Sequence, residues 1–270
     1  MLCVMPWKGF NMRAAEYDLM RSVEDRHWWH AVLRSLVEHA LAGRLRPGGR
    51  LLDAGCGTGG MLDFLQRRTC ELAMTGIDAA DEAVRHCHQR GLRTVQLGSV
   101  EALPFADEVF DAVLSLDVLY HAGVSEERAL AQMARVLRPD GLLVLNLPAF
   151  SALRGAHDLA VHGERRYAER QVRLLLERCS FAVESIQYWN AWLFLPLLVW
   201  RRLSRMKSER AAVTVSDLEL TPAWMNRMLG DMGRMDAVLC REFRLPVGTS
   251  VFAVARKMKN SAGGNQHGRN

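Results

Sequence analysis

The apolar positions of the chain follow two rhythms. Between residues 14 and 42, Leu19, Val23, Trp28, Val32, Leu36 and Leu41 recur at about every fourth position among charged residues, which predicts one amphipathic helix. Pro47-Gly48-Gly49 ends it. Short unbroken apolar runs then alternate with helix-period segments: strands at 50–54, 72–77, 93–97, 110–116 and 142–147, helices at 59–68, 80–90 and 125–137, and a turn at 138–141 (Arg-Pro-Asp-Gly). Runs such as Phe-Asp-Ala-Val-Leu-Ser-Leu at 110–116 suit parallel strands covered on both faces. A helix at 167–179 and strands at 181–188 and 249–255 complete the pattern, which is that of an α/β chain. The expected organisation is an N-terminal helical cap (1–45), a sheet domain (46–188 with 248–258), a helical insertion (189–247) and a disordered polar tail (259–270).

Composition narrows this picture. With 270 residues, 49% of them hydrophobic, the chain can bury one substantial core. Much of its net charge of +5 sits in 201–210 and after residue 255, and no basic stripe with interleaved aromatics crosses the sheet region, so no nucleic-acid partner is expected. The six cysteines form no C-x-x-C pair, which points to reduced thiols in a cytoplasmic protein without a metal site. The first 30 residues lack a signal-peptide pattern, and the longest apolar run, 191–200, is shorter than the roughly 17–25 residues a membrane span needs.

The chemistry centres on residues 51–60, Leu-Leu-Asp-Ala-Gly-Cys-Gly-Thr-Gly-Gly. An aliphatic strand ends in Asp53, and Gly55, Gly57, Gly59 and Gly60 lead into a helix. Glycines let the backbone turn sharply and a ligand lie against it, and the first N–H groups of the helix face the same spot. A nucleotide-type cofactor is expected there. Gly55, Gly57 and Gly60 fit the dinucleotide fingerprint G-x-G-x-x-G, so an NAD(P)-dependent oxidoreductase is one reading. Asp53 points elsewhere, because a carboxylate suits a cationic amine better than a pyrophosphate. Asp78, at the end of the second strand, is placed to hydrogen-bond ribose hydroxyls.

The pattern D-x-G-x-G-x-G at 53–59 resembles the first motif of class I S-adenosylmethionine-dependent methyltransferases. Gly98–Phe105 as Gly-Ser-Val-Glu-Ala-Leu-Pro-Phe, Phe110-Asp111 and the 138–141 turn extend that resemblance over residues 45–147. It implies a Rossmann-like, seven-stranded, mostly parallel sheet with an antiparallel last strand. It also implies S-adenosyl-L-methionine as cofactor, held by Asp53, Gly55, Cys56, Gly57, Asp78, Ala79, Ser99, Val100, Leu116 and Asp117. Ser99 stands where the family commonly has an acidic residue near the adenine amine. His27-Trp28-Trp29 and the segment His157-Asp158…His162, Arg165-Arg166-Tyr167 resemble a subgroup of these enzymes. There the preceding helix caps the cofactor, Arg34 would meet the methionine carboxylate, and the later segment walls the site.

The resemblance implies methyl transfer to an O, N or C atom. A hydroxyl or protonated amine needs a base, and His121, His157 and His162 are the candidates. A catalytically silent protein of the same fold is the other alternative. Trp189, Trp192 and Trp200 flank an apolar run that precedes Arg201, Arg202, Arg205, Lys207 and Arg210. This segment reads either as a cap helix over the site or as an interfacial helix in peripheral contact with a membrane through 189–210. Both readings imply a hydrophobic, small-molecule acceptor.

Overall fold

The computed structural model describes residues 14–68, 71–155, 163–207 and 221–259. The continuous apolar runs form β1 (Arg50–Ala54), β2 (Ala73–Asp78), β3 (Val95–Leu97), β4 (Phe110–Leu116) and β5 (Leu137–Pro148). β6 (Phe181–Trp189) and β7 (Ser250–Lys257) complete a seven-stranded sheet of order β3-β2-β1-β4-β5-β7-β6. β1 to β5 pair in parallel, whereas β7 lies antiparallel to both β5 and β6. The expected α/β sheet and its antiparallel last strand are therefore present.

Neighbouring strand residues feed opposite faces, as the two-residue period requires. Leu52, Val113 and Leu143 join a core with Leu130 and Met133 of α5 (Glu126–Val136) and Leu176 of α6 (Glu169–Arg178). Leu51, Leu114 and Val144 join a second core with Val32 and Val37 of α2 (Trp28–Leu41) and Leu65 of α3 (Gly60–Arg68). α4 (Asp81–Gln89) contributes Val84 and Cys87 to that second core.

Three expectations change. The single helix over 14–42 is two, α1 (Ala14–Val23) and α2, separated by a turn at 24–27. The break contains neither Gly nor Pro; tertiary partners hold it. Glu24 turns inward to Thr58 and Arg90, and Asn226 accepts the Trp28 N–H at 2.9 Å and donates to the Arg26 carbonyl at 2.7 Å. The expected turn at 138–141 is instead a bulge inside β5, with Asp140 in a left-handed conformation (φ 62°). Asp111 fastens that edge by accepting from Arg138 at 2.6 Å and from the Arg50 N–H at 2.8 Å. Finally Trp189, grouped with the insertion on sequence, is the last residue of β6 and fully buried.

After β6 the chain makes a short 3-10 turn (Ala191–Leu193) into α7 (Phe194–Lys207), and α8 (Ala223–Phe243) returns it to β7. Asp236 of α8 accepts the Ala191 and Trp192 N–H groups, each at 3.2 Å. Gly233 lets α8 approach Val32 and Trp28 of α2 closely. Residues 208–220 and the tail at 260–270 lie outside the described residues.

Candidate cofactor and acceptor site

A cavity of about 540 Å³ opens above the carboxyl ends of β1, β2 and β4, where ligands bind in open α/β sheets. Its floor is the glycine loop. Gly55 has a φ of 90°, and a Cβ there would collide with Val118. At Gly60 a Cβ would strike the Glu24 carboxylate and approach Arg34 Nη2 at 3.2 Å. The second glycine is therefore what lets the turn between α1 and α2 dock on the loop.

Four acidic side chains line this floor: Glu24, Asp53, Asp78 and Asp117. Asp53 is 2% exposed, and its Oδ1 has no hydrogen-bond partner among the described residues. Burial, reinforced by Asp78 and Glu24, pushes its carboxyl up to about 7. Asp78 Oδ2 accepts the Gly57 N–H at 2.8 Å and Oδ1 accepts the Ala80 N–H at 3.0 Å. Burial raises the Asp78 carboxyl even against those stabilising donors.

Asp117 sits just beyond β4 with a left-handed φ of 56°. Its N–H donates to the Asn146 carbonyl at 2.9 Å, and its Oδ2 accepts from Asn146 Nδ2 at 2.7 Å. Asn146 is in turn oriented by Trp189 Nε1 at 2.8 Å. Burial carries the Asp117 carboxyl up to about 7, opposed by Asn146 and the charge of Arg166.

The roof comes from both ends of the chain. α1 contributes Tyr17 and Met20, α2 and the residue before it contribute His27, Trp28, Trp29, His30, Leu33 and Arg34, and the turn and helix after β6 contribute Leu193, Leu197, Trp200 and Arg201. The side chain of Arg90, 3% exposed, anchors the N-terminal part: it binds Glu24, meets Asp25 at 3.0 Å and Asp63 at 3.5 Å, and donates to the Thr58 carbonyl at 2.8 Å. His30 Nε2 is buried without a hydrogen-bond partner among the described residues. Burial, helped by His27 and Arg34, pushes its imidazole down to about 3, so it is neutral at physiological pH.

Every described residue assigned to the site on sequence lines this one cavity: Arg34, Asp53, Gly55, Cys56, Gly57, Asp78, Ala79, Ser99, Val100, Leu116, Asp117 and His121. Arg34 donates to the Glu24 and Asp25 carbonyls at 3.0 and 3.3 Å, and Ser99 Oγ accepts the Glu101 N–H at 3.1 Å. His157 and His162 lie outside the described residues. The segment expected as a site wall divides by role. Arg166 lines the cavity, whereas Arg165 binds Glu126 and the carbonyls of His121 and Val124, and Tyr167 donates to the Leu119 carbonyl. His86, Cys87 and His88, consecutive on α4, engage Asp18, the Gly57 carbonyl and the Val95 carbonyl in turn.

Glu24, Thr58 and Tyr17 were not singled out on sequence. Tyr17, Met20 and Glu24 do share one face of helical period, a signal that reads equally as ordinary packing.

The floor suits S-adenosylmethionine. An orphaned buried carboxylate oxygen at Asp53 among further acids favours a cationic ligand and opposes a pyrophosphate. Known proteins agree. Residues 52–145 match a methyltransferase domain. A fatty-acid O-methyltransferase of Mycolicibacterium smegmatis is 33% identical over 135 residues, 48% of this chain and 46% of that relative, so the match spans about half of its length. A malonyl-[acyl-carrier protein] O-methyltransferase of Geobacter sulfurreducens is 29% identical over 189 residues, 64% of this chain and 68% of that one. In structure, the complex of a Haloferax volcanii Trm112 methyltransferase activator with a putative methyltransferase contains a chain that superimposes with a TM-score of 0.58 at 18% identity, covering 93% of this chain and 100% of that one; this likeness is one of fold. Residues 52–145 are thus a methyltransferase domain of the class I S-adenosylmethionine-dependent kind.

Proposed function

We propose that the protein transfers a methyl group from S-adenosylmethionine to an O or N atom, foremost an oxygen, of a hydrophobic small molecule. The observation that carries this reading is one cavity with an acidic glycine-loop floor and an aromatic, aliphatic roof. The O-methyltransferase relatives support the choice of oxygen.

When bound, the cofactor supplies a methyl group already activated by positive sulfur. The protein's own residues then have to bind, orient and exclude water. Asp53 and Arg34 would hold the amino-acid end, Asp78 the ribose, and Ser99 with the Val100 N–H the adenine. Leu116 and Asp117 would border the reacting end, with His121 as a base for a hydroxyl acceptor. Holding an acceptor in line can supply about 7–11 kcal/mol by proximity. Trp29, Leu193, Leu197 and Trp200 enclose the acceptor side and keep it dry.

The sequence left a cap helix and an interfacial helix as alternatives, and α7 has a face for each. Leu193, Leu197 and one side of Trp200 line the cavity, while Leu195 is 65% exposed and Val199, Arg202 and Leu203 are exposed beside it. That second face supports peripheral contact with an anionic membrane surface, although no helix among the described residues is long and apolar enough to cross a bilayer. Cys56, Cys87, Cys179 and Cys240 are free thiols, which supports a reducing, cytoplasmic setting.

The test is calorimetric titration with S-adenosylhomocysteine, NAD and NADP, followed by transfer of a labelled methyl group to long-chain acids and alcohols. S-adenosylhomocysteine alone should bind. Binding of only the nicotinamide cofactors overturns the reading, and binding without transfer to any acceptor favours a catalytically silent protein.

A further inference from the structure

The turn between α1 and α2 carries a carboxylate that is only half engaged. Glu24 is 5% exposed, and its Oε1 accepts from Thr58 Oγ1 and from Arg90 Nη2. Its Oε2 has no hydrogen-bond partner among the described residues and lies so close to Gly60 that a Cβ there would strike it. On the same cavity floor Asp53 is 2% exposed, and its Oδ1 is also without a partner among the described residues. The two carboxylates feel one another, since Glu24 is among the charges that raise the Asp53 carboxyl. A buried carboxylate oxygen without a donor is costly, and a cationic ligand with several N–H groups relieves both acids at once. Arg34 stands over the same glycine but is turned to the protein. Its Nη1 donates to the Asp25 carbonyl at 3.3 Å, and its Nη2 to the Glu24 carbonyl at 3.0 Å and to Asp25 Oδ1 at 3.5 Å.

We propose that Glu24, which lies outside the matched domain at 52–145, receives the α-ammonium of S-adenosylmethionine jointly with Asp53, and that the amino-acid end is read by that positive charge more than by its carboxylate. This rests on the methyltransferase reading and deepens it, because it assigns the cofactor a ligand in the N-terminal cap. An ammonium offers three donors, so one N–H is available to Glu24 Oε2 and another to Asp53 Oδ1. Through its other oxygen Glu24 is already fastened to Thr58 of the glycine loop and to Arg90, so the bound cofactor ties the cap to that loop. A ligand with the carboxylate but no ammonium leaves both oxygens bare and brings a further negative charge to a floor that already holds four acids.

The test measures binding, which does not require turnover. The full chain is titrated by calorimetry at pH 8 with three ligands that share one thioadenosine. They are S-adenosylhomocysteine, its decarboxylated analogue 5′-S-(3-aminopropyl)-5′-thioadenosine and its deaminated analogue 5′-S-(3-carboxypropyl)-5′-thioadenosine. Loss of the carboxylate should weaken binding by less than about fivefold, and loss of the ammonium by about a hundredfold, the range expected for hydrogen bonds to charged groups. E24Q keeps an oxygen for Thr58 and Arg90. It should weaken the two ammonium ligands by about ten- to a hundredfold and should not weaken the carboxypropyl analogue. A carboxypropyl analogue that binds wild-type protein as tightly as the aminopropyl one, or more tightly, overturns the proposal without recourse to any variant. E24Q that weakens all three ligands alike, or none of them, also overturns it and leaves Glu24 only a holder of the turn. Failure of all three to bind would instead overturn the methyltransferase reading itself.

Discussion

Replacing Asp53 by Asn should make the ligand-free protein more stable and the cofactor site worse. The Asp53 carboxyl is buried beside Asp78 and Glu24 and is raised from 3.8 to about 7. In the interval between those values the folded protein holds a proton that the unfolded chain releases, so stability falls as pH rises. The penalty is absent below about pH 4 and complete above about pH 7. At roughly 1.4 kcal/mol per pH unit it amounts to about 4 kcal/mol as an upper figure. The amide escapes that charge but leaves a buried polar atom without a partner, which costs about 1–3 kcal/mol. The net gain for D53N at pH 8 is then about 1–3 kcal/mol, or about 2–6 °C in Tm for a chain of this size. At pH 4, where the carboxyl carries no such penalty, only the cost of the amide is left and D53N should be about 1–3 kcal/mol less stable. Binding moves the other way: losing a charged hydrogen bond to the cofactor's cationic end should weaken S-adenosylhomocysteine by about ten- to a hundredfold. Thermal melts at pH 4 to 8, with and without ligand, test both limbs. A Tm at pH 8 that falls in D53N refutes the electrostatic argument, and an unchanged affinity refutes the placement of the cofactor.

Three other outcomes follow from the same geometry. Asp78→Ala removes the acceptor for both the Gly57 and Ala80 N–H groups, so Tm and S-adenosylhomocysteine affinity should fall together, affinity by about tenfold or more; loss of stability alone would reduce Asp78 to a backbone cap. Arg90→Met leaves Glu24 as a buried, uncompensated carboxylate and should cost about 3–5 kcal/mol in denaturant unfolding, with most of it recovered by adding Glu24→Gln; a loss below 1 kcal/mol would show that Arg90 does not hold the cap. The triple change Leu195→Ser, Val199→Ser and Leu203→Ser should abolish co-sedimentation with anionic vesicles while S-adenosylhomocysteine affinity holds; wild-type protein that stays in the supernatant at low salt contradicts membrane contact.

The parts legible in sequence are those whose physics is local. The run at 110–116 became β4 without a shift in boundary, because a strand buried on both faces needs an unbroken apolar stretch. Ser125, a residue type that favours the N-cap, caps α5 by accepting the Arg128 N–H. That the named residues line one cavity was legible for the related reason that a glycine loop and strand-end carboxylates come in fixed chain order.

What stayed hidden depends on partners far away in the chain. The break at 24–27 has no breaker residue of its own; it follows from Thr58, Arg90 and Asn226. Arg165 and Tyr167 resembled a polar wall, yet they tie down the carbonyls at the end of β4, a role visible only once the loop at 119–124 lies beside them. Asp140 carries a turn signal, and Asp111 keeps its neighbours within the strand.

The Asn226 stitch also has a consequence for the nascent chain. The matched domain is complete once residue 145 has been made, but the closure of α2 depends on a side chain 198 residues beyond Trp28. At about 5–20 residues per second, the stretch from there to Asn226 occupies the ribosome for roughly 4–16 s. Throughout that interval Trp28 has no α8 to lie against, and the part of the cavity roof that follows β6 is still being made. The roof of the cavity is therefore completed well after the matched domain has been made.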